Sequence, residues 1–166
     1  MTGAELRSLL GLKPLPHEGG YFVETYRSAE AIPPVVLPPR YGGARSAGTA
    51  IYYLLTPDTF SALHRLRSDE VYHFYLGDPV ELLLLRPDGS GEVLALGTNL
   101  PSGERPQLVV PQGVWQGSRL KGAGSFALMG TTMSPGWDAA DFELGRRAEL
   151  TQQFPAWRDW IERLTR

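Results

Sequence analysis

Glycine and proline break this chain at short intervals, and that punctuation limits its fold more than any other feature. The 19 glycines and 14 prolines fall between short apolar runs, the pattern of an all-β sandwich or barrel. The runs predict strands at Tyr21–Arg27, Thr49–Leu55, Ser61–Arg67, Glu70–Leu76, Val80–Arg86, Glu92–Leu96, Gln107–Val110, Trp115–Leu120 and Phe126–Thr132. "RPDGSGE" supplies a hairpin turn, because Asp and Gly tolerate the left-handed backbone such a turn needs. "KGAGS" is a second turn, and "AIPPVVLPPRYGGARSAG" is a loop suited to a lid or a dimer contact.

Two helical pieces flank the β region. Leu6, Leu9 and Leu10 share one helical face before a stop at Gly11, and Trp157, Trp160, Ile161 and Leu164 follow helical spacing after Pro155. A chain of 166 residues is enough for one domain with its own core. The expected layout is a single domain over 1–166, with a barrel core at about 20–145 and a C-terminal helix at about 155–165.

Composition excludes several functions. With no cysteine, the chain has no disulfide, thiolate metal ligand or cysteine nucleophile. Its net charge of −2 is spread along the chain without a Lys/Arg run, which argues against nucleic-acid binding. The N-terminus is too short and too charged for a signal peptide, and no long apolar run suggests a membrane span. The expectation is a soluble, cytoplasmic protein. No phosphate loop, G-x-G-x-x-G, G-x-S-x-G or H-E-x-x-H occurs.

Strand parity then selects candidate residues. In "FSALHRL", His64 shares a face with Phe60, Ala62 and Leu66, an apolar row that points inward. In "EVYHFYLG", Glu70, Tyr72 and Phe74 share a face, whereas His73 lies on the other. A hairpin across Arg67–Asp69 would bring His64 and Glu70 together on one inner surface. Such a pair is costly to bury unless its members satisfy each other or a ligand, so it reads either as a structural polar pair or as an acid–base or binding pair. After the Pro-x-Gly turn of "VVPQGVWQGSRL", Gln116 is a candidate polar contact inside the barrel and Trp115 a packing or stacking surface. In "LPHEGGYFVETYRS", His17 and Glu18 sit at a Gly-Gly turn, and Glu24 reads as a surface carboxylate on an edge strand.

These residues resemble the two motifs of the cupin superfamily, G-x5-H-x-H-x3,4-E-x6-G and G-x5-P-x-G-x2-H-x3-N. His64, Glu70 and Gly77 match the first; Pro111 and Gly113 match the second. The phrases "LPHEGGYFVETYRS", "AIYYLL", "FSALHRLRSDEVYHFYLGDPVELLLL", "VPQGVWQGSRL" and "TTMSPGWDAADFELG" are similar to those of the family called cupin-5, over about residues 5–155. The resemblance implies a double-stranded β-helix, or jelly-roll, barrel that commonly pairs as a homodimer. It implies no particular activity.

Two departures matter. Leu66 stands where the motif has its second His, and Gln116 where it has its third. A set of His64, Glu70 and Gln116 would hold a divalent metal only weakly, since the amide contributes little and Leu66 nothing. The reading is therefore of no confident cofactor. It expects a barrel that binds a small polar molecule, and a metal-free isomerase or epimerase of sugar type. In it, His64 is the general base, Glu70 orients it or shares its proton, and Tyr52, Tyr72, Phe74, Trp115 and Gln116 line the substrate site. The alternatives are a non-catalytic small-molecule-binding cupin and a metal-dependent cupin with an incomplete ligand set.

Overall fold

The structure is a computed structural model describing residues 1–166. In chain order it comprises α1 (Gly3–Leu9), β1 (Lys13–Pro14), β2 (Tyr21–Arg27), β3 (Ala31–Ile32), β4 (Arg45–Ser46), β5 (Thr49–Leu55), β6 (Ser61–Arg65) and β7 (Glu70–Gly77). There follow β8 (Val80–Leu85), β9 (Gly91–Leu96), β10 (Gln107–Val110), β11 (Trp115–Leu120), β12 (Ala127–Met133), β13 (Glu143–Leu144), α2 (Arg147–Gln153) and α3 (Arg158–Arg163). All nine expected strands are present, with ends moved by at most two residues. The short strands β1, β3, β4 and β13, and helix α2, lack the apolar periodicity that would have announced them.

Two antiparallel sheets face each other. One has six strands in the order β1-β2-β5-β12-β7-β10, the other five in the order β13-β6-β11-β8-β9, and β3-β4 form a separate ribbon. Alternation sets the interior: Tyr53 and Leu55 of β5, Leu82 and Leu84 of β8, and Ala127 and Met129 of β12 meet between the sheets. The outer face of β8 is also covered, because Leu83 and Leu85 pack with Leu63, Trp115, Leu150, Phe154, Ile161 and Leu164 beneath α2 and α3. This double burial is why "VELLLL" reads as a continuous apolar run. Helix α1 covers part of the other sheet through Leu6, against Leu54 and Leu128. It begins in a capping box, with the Thr2 hydroxyl accepting from the Glu5 amide and the Glu5 carboxylate accepting from the Thr2 amide. No helix is long and apolar enough to cross a membrane.

One expectation is overturned. Arg67–Asp69 does not close a hairpin: β6 pairs with β11 and β13, whereas β7 pairs with β12 and β10. The segment instead carries the chain from one sheet to the other. His64 and Glu70 therefore meet across the sandwich. "RPDGSGE" does form a hairpin, pairing Leu85 with Gly91, but "KGAGS" joins strands of different sheets.

Candidate functional site

A cavity of about 400 Å³ opens between the sheets at the end where β6 leaves one and β7 enters the other. His64, Glu70 and Tyr72, all expected to face inward, line it together with Glu18, Tyr53 and Thr131. Its other walls are largely apolar and include Leu15, Phe22, Ile51, Leu66, Met133, Trp137 and Phe142.

His64 is held from three sides. β6 places its ring inward beside Gln116, its register partner on β11. Its Nδ1–H donates to the Ala62 carbonyl at 2.7 Å, and its ring stacks on Phe142, 5.2 Å between centroids and 22° between planes. Pinning Nδ1 leaves Nε2 as the nitrogen available to the cavity, 4.0 Å from a Glu18 carboxylate oxygen. The side chain is 2% exposed, so whatever meets Nε2 meets it out of bulk water.

Glu70 is also buried. The Gln116 amide donates to its Oε2 at 2.8 Å. Burial pushes its carboxyl above the ordinary range, with Glu18 adding to the rise, while His64, Thr131 and Gln116 pull it down. Burial likewise raises the Tyr53 and Tyr72 phenols well above their ordinary value, so both keep their protons. The Tyr53 hydroxyl is spent on the Gly19 carbonyl at 2.8 Å. The Tyr72 hydroxyl makes no hydrogen bond within the chain and stands at the cavity as a free donor.

Glu18 is the residue sequence reasoning did not assign to the site. Its turn is tightly specified: His17 takes a left-handed φ of 65°, and Gly20 one of 70°. A Cβ on Gly20 would lie 2.8 Å from the Tyr53 ring, so glycine is required there on both counts. The Glu18 carbonyl accepts from the Ala62 amide at 2.8 Å, docking the turn on β6, and its carboxylate accepts from Ser61 Oγ at 2.8 Å. The signal in the sequence was "HEGG", a carboxylate held by a glycine pair. Nothing local states that the turn folds back onto β6.

The wall formed by 137–142 was also not anticipated. Trp137, Ala139 and Phe142 line the cavity, whereas no residue of the 31–48 loop does. That loop acts at one remove. Its Arg45 grips Asp141 with two hydrogen bonds of 2.7 Å, both side chains almost wholly buried, and so fixes the residue before Phe142.

Three candidate lining residues lie elsewhere. Tyr52 points to the outer face of its sheet, edge-on to Tyr75, because it alternates with the inward Ile51 and Tyr53. Phe74 faces inward but packs on the apolar core away from the cavity. Trp115 faces outward into the cluster under the C-terminal helices, with the Arg65 guanidinium over its ring. Gln116 does not line the cavity; it acts on it through Glu70. His73 lies on the outer face, bonded to Thr132. Glu24 sits at the cavity's mouth, part-exposed and paired with Arg27.

The donors do not fit a tightly held metal ion. No three His, Asp or Glu side chains converge in ligating geometry. Leu66 presents a buried aliphatic side chain where a second imidazole would be needed, and the Gln116 amide nitrogen is turned to Glu70.

The fold and site have relatives. The chain is 32% identical to protein SO0799 of Shewanella oneidensis, whose solved structure it matches with a TM-score of 0.89 over 100% of this chain and 98% of that one. It is 34% identical over 134 residues to the uncharacterised protein YML079W of Saccharomyces cerevisiae; the match covers 75% of this chain and 66%, just under two thirds, of the yeast protein. An uncharacterised conserved protein of Klebsiella pneumoniae with a double-stranded β-helix domain shares the fold alone, at 12% identity and a TM-score of 0.52 over 88% of this chain and 96% of that one. The model of the cupin superfamily family Cupin_5 (DUF985) matches residues 4–145. Double-stranded β-helix topology, two sheets enclosing one cavity and a match over most of the length place this chain in the Cupin_5 family of the cupin superfamily.

Proposed function

We propose that the cavity binds a small organic molecule by its polar end and that His64 moves a proton on it, as in an isomerase or epimerase. The observation that carries this reading is the state of His64: Nδ1 is committed to the Ala62 carbonyl, and Nε2 is left unbonded at the cavity, 4.0 Å from Glu18. Most buried side-chain polar atoms that serve only structure find a partner.

In this reading Nε2 takes a proton from a carbon next to a carbonyl, and the electron pair moves onto the carbonyl oxygen. The Tyr72 hydroxyl, a donor with no partner in the chain, faces the cavity where such an oxygen would be held. The proton returns from Nε2, or by way of Glu18 to the other face. Positioned acid–base groups of this kind contribute about 10²–10⁴-fold in rate. Glu70 positions the site through Gln116 and through its charge interaction with His64. The apolar walls take the rest of the molecule, the usual division of labour in a small-molecule site.

The test is a thermal-shift screen of small carbonyl compounds and aldose sugars, followed by NMR of each hit in D₂O. Enzyme-dependent exchange of a carbon-bound proton, lost in His64→Gln, is the expected result. A hit that binds without exchange makes the chain a binding protein. Absence of any hit, with His64→Ala acting only on stability, makes the His64–Glu70 pair structural.

A further inference from the structure

The charges around the cavity narrow the chemistry of its ligand. Three carboxylates line it, at Glu18, Glu24 and Glu70, and no Lys or Arg does. Only Glu24, at the mouth, has a guanidinium partner, Arg27 at 2.7 Å. Glu18 reaches the interior with only a hydroxyl bonded to it, from Ser61, and the imidazole of His64 4.0 Å away. Glu70 has an amide and no cationic side chain in hydrogen-bond contact. Arg166 donates to the His17 and Glu18 backbone carbonyls at 2.7 and 3.2 Å and not to the Glu18 carboxylate, and His17, the second imidazole lining the cavity, is exposed.

Two further observations show that these acids face a ligand site and not a solvated patch. His64 Nε2 and the Tyr72 hydroxyl are unpartnered polar groups on residues 1% and 2% exposed, and both residues line the same cavity. Aromatic rings flank it as well: Phe22, Trp137 and Phe142. Carboxylate and ring faces together are what binds an ammonium group, by ion pairing and by the attraction of a cation to a π-face.

We infer that the cavity selects a small organic cation, an amine with a body of ring size, whose ammonium group pairs with Glu18 while its body lies against the aromatic wall, and that it rejects carboxylates and phosphates. This rests on the cavity being the ligand site proposed above. Removing an anion from water into a space lined by carboxylates and by no Lys or Arg is opposed twice, by desolvation and by repulsion.

Two matched sets test the inference by calorimetry on the full chain: 2-phenylethylamine, 2-phenylethanol and 3-phenylpropanoate, then glucosamine, glucose and glucuronate. In at least one set the amine is expected to bind ten times or more tighter than the alcohol or parent sugar, and the carboxylate least. Glu18→Gln, which keeps an acceptor for Ser61, is expected to bring amine and neutral partner within about twofold of each other. Equal binding across charge, preference for the carboxylate, or an amine preference that survives Glu18→Gln overturns the cation assignment and leaves the cavity as a ligand site. If no member of either set binds, the cavity reading fails and the cation assignment fails with it.

Discussion

Strands β6 and β8 flank β11 in the same sheet, and both are buried on their inner faces, yet they do different work. β8 places Leu82 and Leu84 inside and Leu83 and Leu85 outside, every one in an apolar cluster. β6 places Leu63 in the outer cluster with the same security, but its inner face carries His64. The strand between them shows the transition: Leu120 belongs to the apolar core, while Ser118 and Gln116 are buried and polar towards the cavity end. Burial alone thus separates nothing here. One half of the interior is held by area removed from water, the other by pairing of polar groups, and only the second leaves groups with unmet hydrogen bonds at a cavity.

The largest expected effect falls on the polar half. Asp141→Ala leaves the buried Arg45 charge without its carboxylate, held only by the Ala44 and Tyr41 carbonyls, and should cost about 3–5 kcal/mol in urea denaturation. It should also free Phe142 from its stacking position on His64 and weaken any ligand. A cost near zero would mean that this wall is held by apolar contact, as β8 is. Leu84→Ala comes next, at about 2–5 kcal/mol from lost transfer and an added cavity. Ligand affinity should stay within about twofold, since Leu84 does not touch the cavity; a larger loss would show the two halves to be coupled.

Glu70→Gln sharpens the contrast through pH. Burial raises the folded-state pKa of Glu70 above its unfolded value. The folded state therefore holds this proton more tightly, and the advantage is complete below the unfolded pKa and lost as pH rises through the folded one. Glu70→Gln cannot ionise, so urea midpoints of the two proteins should diverge from about pH 4.5 upward, the wild type losing ground. Divergence in the opposite sense would mean that attraction to His64 outweighs desolvation. The smallest effect is expected at Ser118→Ala. This hydroxyl is buried without a partner, so its removal should be neutral or stabilising by up to about 1 kcal/mol. A clear loss of stability would show that buried polarity on β11 is uniformly required.

Much of this division was legible in the chain. Alternation placed His64, Glu70 and Tyr72 on inward faces and set His73 on the other, because side-chain direction in a strand follows from residue count. The same parity placed Trp115 and Gln116 on opposite faces. Lining by Tyr52 and Phe74 was not legible. An aromatic in a strand advertises burial but not which side of the sheet buries it, and Phe74 shows that an inward residue can still lie too far along the barrel.

By itself the sequence determined the β architecture, the hairpin at "RPDGSGE", the C-terminal helical face and the inward histidine; at the N-terminus Leu6 and Leu10 pack as expected, but Leu9 points to solvent. All of these rest on interactions between residues near in the chain or on a repeat of two. Only tertiary structure decided that β6 and β7 belong to opposite sheets, that Glu18 closes on His64 from 46 positions earlier, and that Arg45 holds Asp141 across 96. Those contacts are made by single side chains whose partners are set by sheet order. Sheet order is a property of the whole packed interior and leaves no period in the sequence to read.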